Sequence, residues 1–256
     1  GDNPSFAIAL YNIGACCRLL GRFEEALARL EEALVMQRRL YPGDHRDTAT
    51  TLNEAGACLN LMSRYKEAMS YFRESMAMYR RLGDERNAAT TLNNIATCYR
   101  SMNQFQDAIE SFQEALAANE RVASGDNSTK ATILYNMGFC LQSLMRKEEA
   151  VSRYQEAMDM HRRIFPSGDW RTKLTAVGLG SALGELGRYT EGEAIMVPAW
   201  REIKNHSDMP ASLRRRCIEQ IMNLYLSWEK VQPGNGLVKE KAAEFGQLLT
   251  EATAGS

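Results

Sequence analysis

Six cysteines, three histidines, three pairs of adjacent glutamates, three arginine pairs and one arginine triplet are the residues of this chain with chemistry to offer. A zinc site needs thiolates and imidazoles at short paired spacings, and a redox dithiol needs CxxC. Cys16 and Cys17 are adjacent and Cys217 stands alone, while Cys16, Cys58, Cys98 and Cys140 are separated by 42, 40 and 42 residues. His45, His161 and His206 fall in or near predicted turns, with no HExxH or Ser-His-Asp order around them. Gly178, Gly180, Gly184 and Gly187 lack the preceding strand and the Lys-Ser/Thr of a phosphate loop. Glu24-Glu25, Glu31-Glu32 and Glu148-Glu149 sit on predicted solvent faces with Arg or Lys nearby, the pattern of solubilising charge rather than of a general acid and base. Arg38-Arg39, Arg80-Arg81 and Arg162-Arg163 fall at predicted helix C-termini, where cations complement the macrodipole. Arg214-Arg215-Arg216 is less easily absorbed and reads as a local anionic contact. The expectation is a non-catalytic chain with no metal and no cofactor.

The elements that carry these residues read as helices throughout. Long stretches rich in Ala, Leu, Glu, Arg and Met follow helix propensity, and no alternating β-branched run marks a strand. The chain also repeats itself. Leu10 to Gly14, Leu52 to Gly56, Leu92 to Ala96, Leu134 to Gly138 and Ala176 to Gly180 share one pattern, their last residues spaced by 42, 40, 42 and 42. Twelve residues on lie Ala26, Ala68, Ala108, Ala150 and Gly192, and seven further Ala33, Ser75, Ala115, Ala157 and Ala199. Leu10, Ile13, Gly14 and Cys17 define the buried stripe of a first helix, and Phe23, Ala26, Leu27, Leu30, Ala33 and Leu34 that of a second. Each unit is thus a helical hairpin, and the small columns let its two backbones approach. The Cys16 column should then be reduced packing residues, because stacked hairpins lie about 10 Å apart and a disulfide needs Cα atoms within about 7 Å.

The pattern Leu10, Ile13, Gly14, Cys17, Gly21, Phe23, Ala26, Leu30, Ala33 resembles the tetratricopeptide repeat, here in a 42-residue variant similar to the kinesin light chain type, matched most closely by Ala89 to Ala96. The resemblance implies an all-α, right-handed superhelical solenoid. Its expected division is 5–42, 47–83, 87–123, 129–165 and 171–205 as repeats, then 211–251 as a degenerate sixth hairpin that caps the last apolar face. Departures carry expectations too. Lys147 replaces an aromatic, and Ser63, Asn103 and Met145 replace the turn glycines Gly21 and Gly187, so the fourth turn should be looser. Pro198 should kink its helix, and Gly178 and Gly184 thin theirs.

Residues offset from the buried stripe of each first helix should line a concave groove. They are Tyr11, Asn12 and Arg18, then Asn53, Glu54 and Asn60, then Asn93, Asn94, Thr97 and Arg100, then Tyr135, Asn136, Phe139 and Gln142. Asn side chains both donate and accept, so a ladder of them can satisfy an extended peptide's backbone whatever its side chains. Tyr and Phe supply anchors, and two arginines favour carboxylates. The family resemblance implies the same use, including acidic peptides containing an aromatic.

Charge and hydropathy exclude other classes. Thirty-one basic against 32 acidic residues give a net charge of −1, with no field to gather nucleic acid or anionic lipid. No apolar run reaches the roughly 18–20 residues of a bilayer span. The chain opens Gly1-Asp2-Asn3-Pro4 without an initiator Met or a basic-then-apolar segment and ends Ala254-Gly255-Ser256, so no signal peptide and a cytoplasmic location are expected. The expected function is a protein–protein interaction module, an adaptor or scaffold. The alternatives are a regulatory domain excised from a larger signalling or enzymatic protein and a self-associating scaffold.

Overall fold

Pro4, placed where a missing N–H costs nothing, opens the first helix of the computed structural model, with Asn3 Oδ1 accepting from the Ser5 amide at 2.9 Å. The structure describes residues 2–123, 125–165, 169–207 and 209–254, and among these are twelve α-helices and no strand. The chain divides into two compact units, 1–125 and 126–256. The first holds α1 (Pro4–Leu19), α2 (Phe23–Leu40), α3 (Arg46–Leu61), α4 (Tyr65–Arg81), α5 (Glu85–Ser101) and α6 (Phe105–Val122). The second holds α7 (Ser128–Ser143), α8 (Lys147–Ile164), α9 (Trp170–Glu185), α10 (Tyr189–Ile203), α11 (Ala211–Val231) and α12 (Gly236–Ala254). In each unit odd helices pack on the even helix that follows, and even helices on the next odd one. The odd helices also touch in order, α1 on α3 on α5 and α7 on α9 on α11.

Local chemistry starts and stops these helices in a repeating way. Asn3, His45, Asp84, Asn127 and Asp169 each accept a backbone N–H at the start of an odd helix, satisfying an amide the helix itself cannot. Before α4, α8 and α10, Arg64, Arg146 and Arg188 instead bond the glutamate three residues on, whose charge suits the positive end of the helix. The arginine pairs at the ends of even helices form further ion pairs: Arg38 with Glu74, Arg80 with Glu114, Arg81 with Asp44 and Arg163 with Asp126. They are rungs between neighbouring segments.

The small columns allow close helix approach, as expected. Gly56 lies against Phe72, where a Cβ would come within 2.7 Å of the ring, and Gly180 against Gly192, whose carbonyl oxygen would sit 2.6 Å from one. Pro198 lies on the exposed side of α10, which runs unbroken through it. Residues 166–168, in the connection expected between the fourth and fifth repeats, lie outside the described residues.

The fourth turn is not looser. Ser63, Asn103 and Met145 all take left-handed φ near +60°, as Gly21 and Gly187 do at +76° and +78°. Around Met145 the same pair of backbone bonds closes the turn as around Gly21, at 3.0 and 2.9 Å. Backbone bonding over-determines the conformation, so a side chain that disfavours it is simply strained. Met145→Gly should therefore stabilise the second unit by about 1 kcal/mol. Urea unfolding followed by tryptophan fluorescence measures it, since Trp170, Trp200 and Trp228 all lie in that unit.

Four positions differ from the sequence expectation: Cys16 is exposed rather than packed, Asn136 is buried rather than lining the groove, and Ile13 and His161 depart as follows. Ile13 is 46% exposed, because in α1 no preceding helix covers the face that α2 covers on α3. His161 is not on a turn: it sits inside α8 and is buried, its Nδ1 3.3 Å from Thr175 Oγ1 and its Nε2 without a partner among the described residues. It shares a column with Gln37 and Tyr79, both buried where an even helix meets the next odd one. Burial lowers the His161 pKa, Asp169 raising it and Arg171 lowering it to smaller extents. The folded unit thus holds the neutral ring, while the unfolded chain regains an ordinary value of about 6.5. Stability is retained above that pH and lost as pH falls below it towards the depressed folded value. Unfolding at pH 7.5 and 5.5 should show this loss, and His161→Gln should reduce it; an unchanged difference would assign it to other groups.

Candidate functional site on the inner helix faces

The faces shared by α1, α3 and α5, and by α7, α9 and α11, hold the residues expected to line a groove. Along α1, Tyr11 and Asn12 border a cavity of about 220 Å³ with Gln37, Asp47 and Thr50. Arg18 Nε donates to Glu54 Oε2 at 2.9 Å, both largely screened from solvent. The Asn94 amide donates to Asn53 Oδ1 at 3.0 Å, a direct rung between α5 and α3. A second cavity of about 210 Å³ is lined by Arg18, Asn60, Leu61, Asn94 and Thr97, over Phe72. Among the described residues the Oδ1 atoms of Asn60 and Asn93 are buried without a hydrogen-bond partner. Arg100 is half-buried on α5.

In the second unit Asn136 is buried behind the surface, whereas Tyr135, Phe139 and Gln142 are partly open. Gln142 donates to Ser181 Oγ at 3.0 Å and to Glu185 Oε1 at 2.6 Å, and its Oε1 accepts from Tyr154 at 3.2 Å. Arg216, from the triplet in α11, bonds the Tyr135 hydroxyl and lies 5.3 Å over the Phe139 ring, a cation–π arrangement. Phe139, Gln142, Ser181, Glu185, Arg216 and Asn223 line a cavity of about 380 Å³, within the usual size of a ligand site.

Both cavities fall on the same repeat columns. Ala57 and Thr97 in the first unit correspond to Phe139, Ser181 and Asn223 in the second, and Leu61 corresponds to Ser143, Glu185 and Ser227. The contributions of α9 and α11 were missed by sequence reading. The available signal was the 42-residue spacing from Phe139 through Ser181 to Asn223, which continues into the sixth hairpin.

The remaining reactive groups are accounted for by packing or solvent. All six cysteines are free thiols; Cys17, Cys58, Cys98, Cys140 and Cys217 are buried, and Cys16 is exposed. Burial pushes Cys58 and Cys98 up to about 11 and Cys217 to about 12, far from the thiolate that redox or metal chemistry requires. Among the described residues no cluster of His, Cys, Asp and Glu has metal-site geometry. His45 caps α3 and stacks on Tyr41.

A family profile of the tetratricopeptide repeat matches residues 5–81, 53–121 and 87–163, overlapping spans that cover more than half of the chain. The chain belongs to the tetratricopeptide repeat family. Its fold is also that of several solved structures. A putative kinesin light chain from Podosopora anserina with nearly identical TPR-like repeats is 14% identical at a TM-score of 0.66, over 81% of this chain and 100% of that one. A Rap protein complexed with competence and sporulation factor is 15% identical at 0.64, over 96% and 74%. A signal transduction ATPase with numerous domains from Pyrococcus horikoshii, carrying a tetratricopeptide repeat sensor, is 12% identical at 0.73, over 96% of this chain and 36% of that protein. No curated protein matches the chain. Among the described residues no helix is long and apolar enough to cross a membrane.

Proposed function

We propose that this chain is a non-catalytic interaction module, one array of five repeats and a capping hairpin, that binds an extended partner peptide on its inner helix faces and acts as an adaptor or scaffold in the cytoplasm. The observation that carries this reading is the amide set of α3 and α5. Asn53 and Asn94 bond each other, and Asn60 and Asn94 line a cavity. Such groups serve a peptide backbone and are costly to leave unsatisfied. The Rap complex, a fold relative bound to its factor, is consistent with this use. The ligand is proposed to be acidic with an aromatic anchor. Arg18 and Arg100 are the cations assigned to that preference, Arg18 with Glu54 beside it.

A phage-displayed peptide library selected on the wild-type protein tests the location. Peptides that lose binding to Asn94→Ala support the inner face of the first unit, and peptides indifferent to it move the site elsewhere. The sensor domain of the Pyrococcus ATPase, where an array like this is about a third of a longer protein, favours a second reading as the regulatory part of such a protein. A catalytic or nucleotide-binding domain in the full-length gene would decide for it.

A further inference from the structure

The cavity of about 220 Å³ between α1, α2 and α3 carries more hydrogen-bond acceptors than donors, and a negative charge. Gln37 of α2 lines it and is 2% exposed, its Oε1 buried without a hydrogen-bond partner among the described residues. Thr50 and Thr51 of α3 line it too, and both spend their hydroxyl protons on carbonyls one turn back, Thr50 on Arg46 at 3.0 Å and Thr51 on Asp47 at 2.9 Å. Towards a ligand they can only accept. The charge is the Asp47 carboxylate. Among the described residues no lysine or arginine pairs with it, and Arg46 beside it is engaged by Asp84. His45 Nδ1 lies 3.8 Å from Asp47 but accepts the Asp47 amide proton, so that nitrogen carries none of its own.

The cause of the cavity is internal to the first two hairpins. In the second hairpin the column of Gln37 holds Tyr79, and the column of Ile8, which borders the cavity, holds Thr50. Tyr79 is buried and its hydroxyl reaches Thr50 Oγ1 at 2.7 Å, so there a ring spans the distance from the even helix to the odd one. Gln37 is too short to do the same, and the space stays open beside the Tyr11 ring.

We infer that this cavity receives the cationic end of a lysine or arginine side chain of a partner protein. An ammonium or guanidinium group has donors only. It would meet the Asp47 charge and the buried Gln37 oxygen through charge-assisted bonds, with the Tyr11 ring as a π surface. A carboxylate would instead meet Asp47 and be repelled. The site therefore assigns a basic residue to the partner, and it stands or falls apart from the amide set of α3 and α5.

The probes are single residues, so failure here leaves the peptide reading untouched. N-acetyl-lysine amide and N-acetyl-arginine amide are titrated into the isotope-labelled full chain and followed by NMR at the Gln37 side-chain amide and the Thr50 and Thr51 backbone amides. Saturable shifts are expected, and the tighter of the two probes distinguishes ammonium from guanidinium. The norleucine, citrulline and glutamate counterparts should give none over the same range. Asp47→Asn should weaken binding about fivefold or more, as for loss of a charge-assisted bond in a partly open site. Gln37→Tyr places the second hairpin's residue in the first and should abolish binding. Circular dichroism checks that both variants are folded, and Asp47→Asn alone decides if Gln37→Tyr is not. Absence of saturable shifts with both basic probes, equal shifts with norleucine and citrulline, or full affinity retained by Asp47→Asn overturns the inference.

Discussion

Tyr154→Ala is expected to cost the second unit about 3–5 kcal/mol, the largest single effect we anticipate on stability. The side chain is fully buried. Its ring lies on the backbones of Gly138 and Gly178, where an added Cβ would come within 2.9 Å of it on either side. Two helices have therefore given up their own side chains to admit it, and α7 and α9 cannot close the gap without breaking their packing on α8. Its hydroxyl also holds Gln142 Oε1 at 3.2 Å, so the lining of the larger inner cavity depends on it. Tyr154→Phe should cost only about 1 kcal/mol, the net worth of one hydrogen bond. Urea denaturation monitored by tryptophan fluorescence distinguishes the two. A loss below about 1 kcal/mol for the alanine variant would mean that the close glycine contacts do not define the packing.

How much of this was legible in the sequence follows from which residues act locally. Columns such as Gly14 with Ala26, or Gly180 with Gly192, are fixed by a contact that only small residues permit, so their period reveals the hairpins directly. The left-handed turn was legible at Gly21 and Gly187 but not at Met145, because there the backbone hydrogen bonds, not the side chain, select the conformation. His161 was misplaced because burial of a polar residue in the last turns of a helix depends on Thr175 from the next helix, which the pattern of its own helix does not show. Ile13 was misassigned for the opposite reason: a stripe shows which face is apolar, not whether a neighbour is there to cover it. For the candidate site, the offsets on α1, α3, α5 and α7 were readable from helix geometry. The pairing of Arg18 with Glu54, and the arrival of Arg216 beside Phe139, depend on contacts between residues 36 and 77 positions apart, which spacing within one helix does not encode.

The second large effect is on binding. An extended peptide laid along α3 and α5 exchanges hydrogen bonds with Asn53, Asn94 and Asn60, and each such bond is worth about 1 kcal/mol or somewhat more where water is excluded. Asn94→Ala removes one ligand bond and also releases Asn53 from its partner, so a loss of about tenfold in affinity is expected for acidic and neutral peptides alike. Because these bonds are between neutral groups, the loss should be the same at low and high salt. Arg100→Ala should act on the charged term only. It should weaken acidic peptides about three- to tenfold and flatten their salt dependence, while neutral peptides keep their affinity. Arg18→Ala should act in the same sense, with a ligand carboxylate competing against Glu54.

Isothermal titration of one acidic, aromatic-containing peptide and its Asn/Gln counterpart against the wild type, Asn94→Ala and Arg100→Ala, at low and high salt, tests the central claim most directly. Both peptides should bind Asn94→Ala more weakly at either salt, and Arg100→Ala should weaken the acidic peptide selectively. Equal affinities for the two peptides together with indifference to both substitutions would contradict it and place recognition away from the inner helix faces.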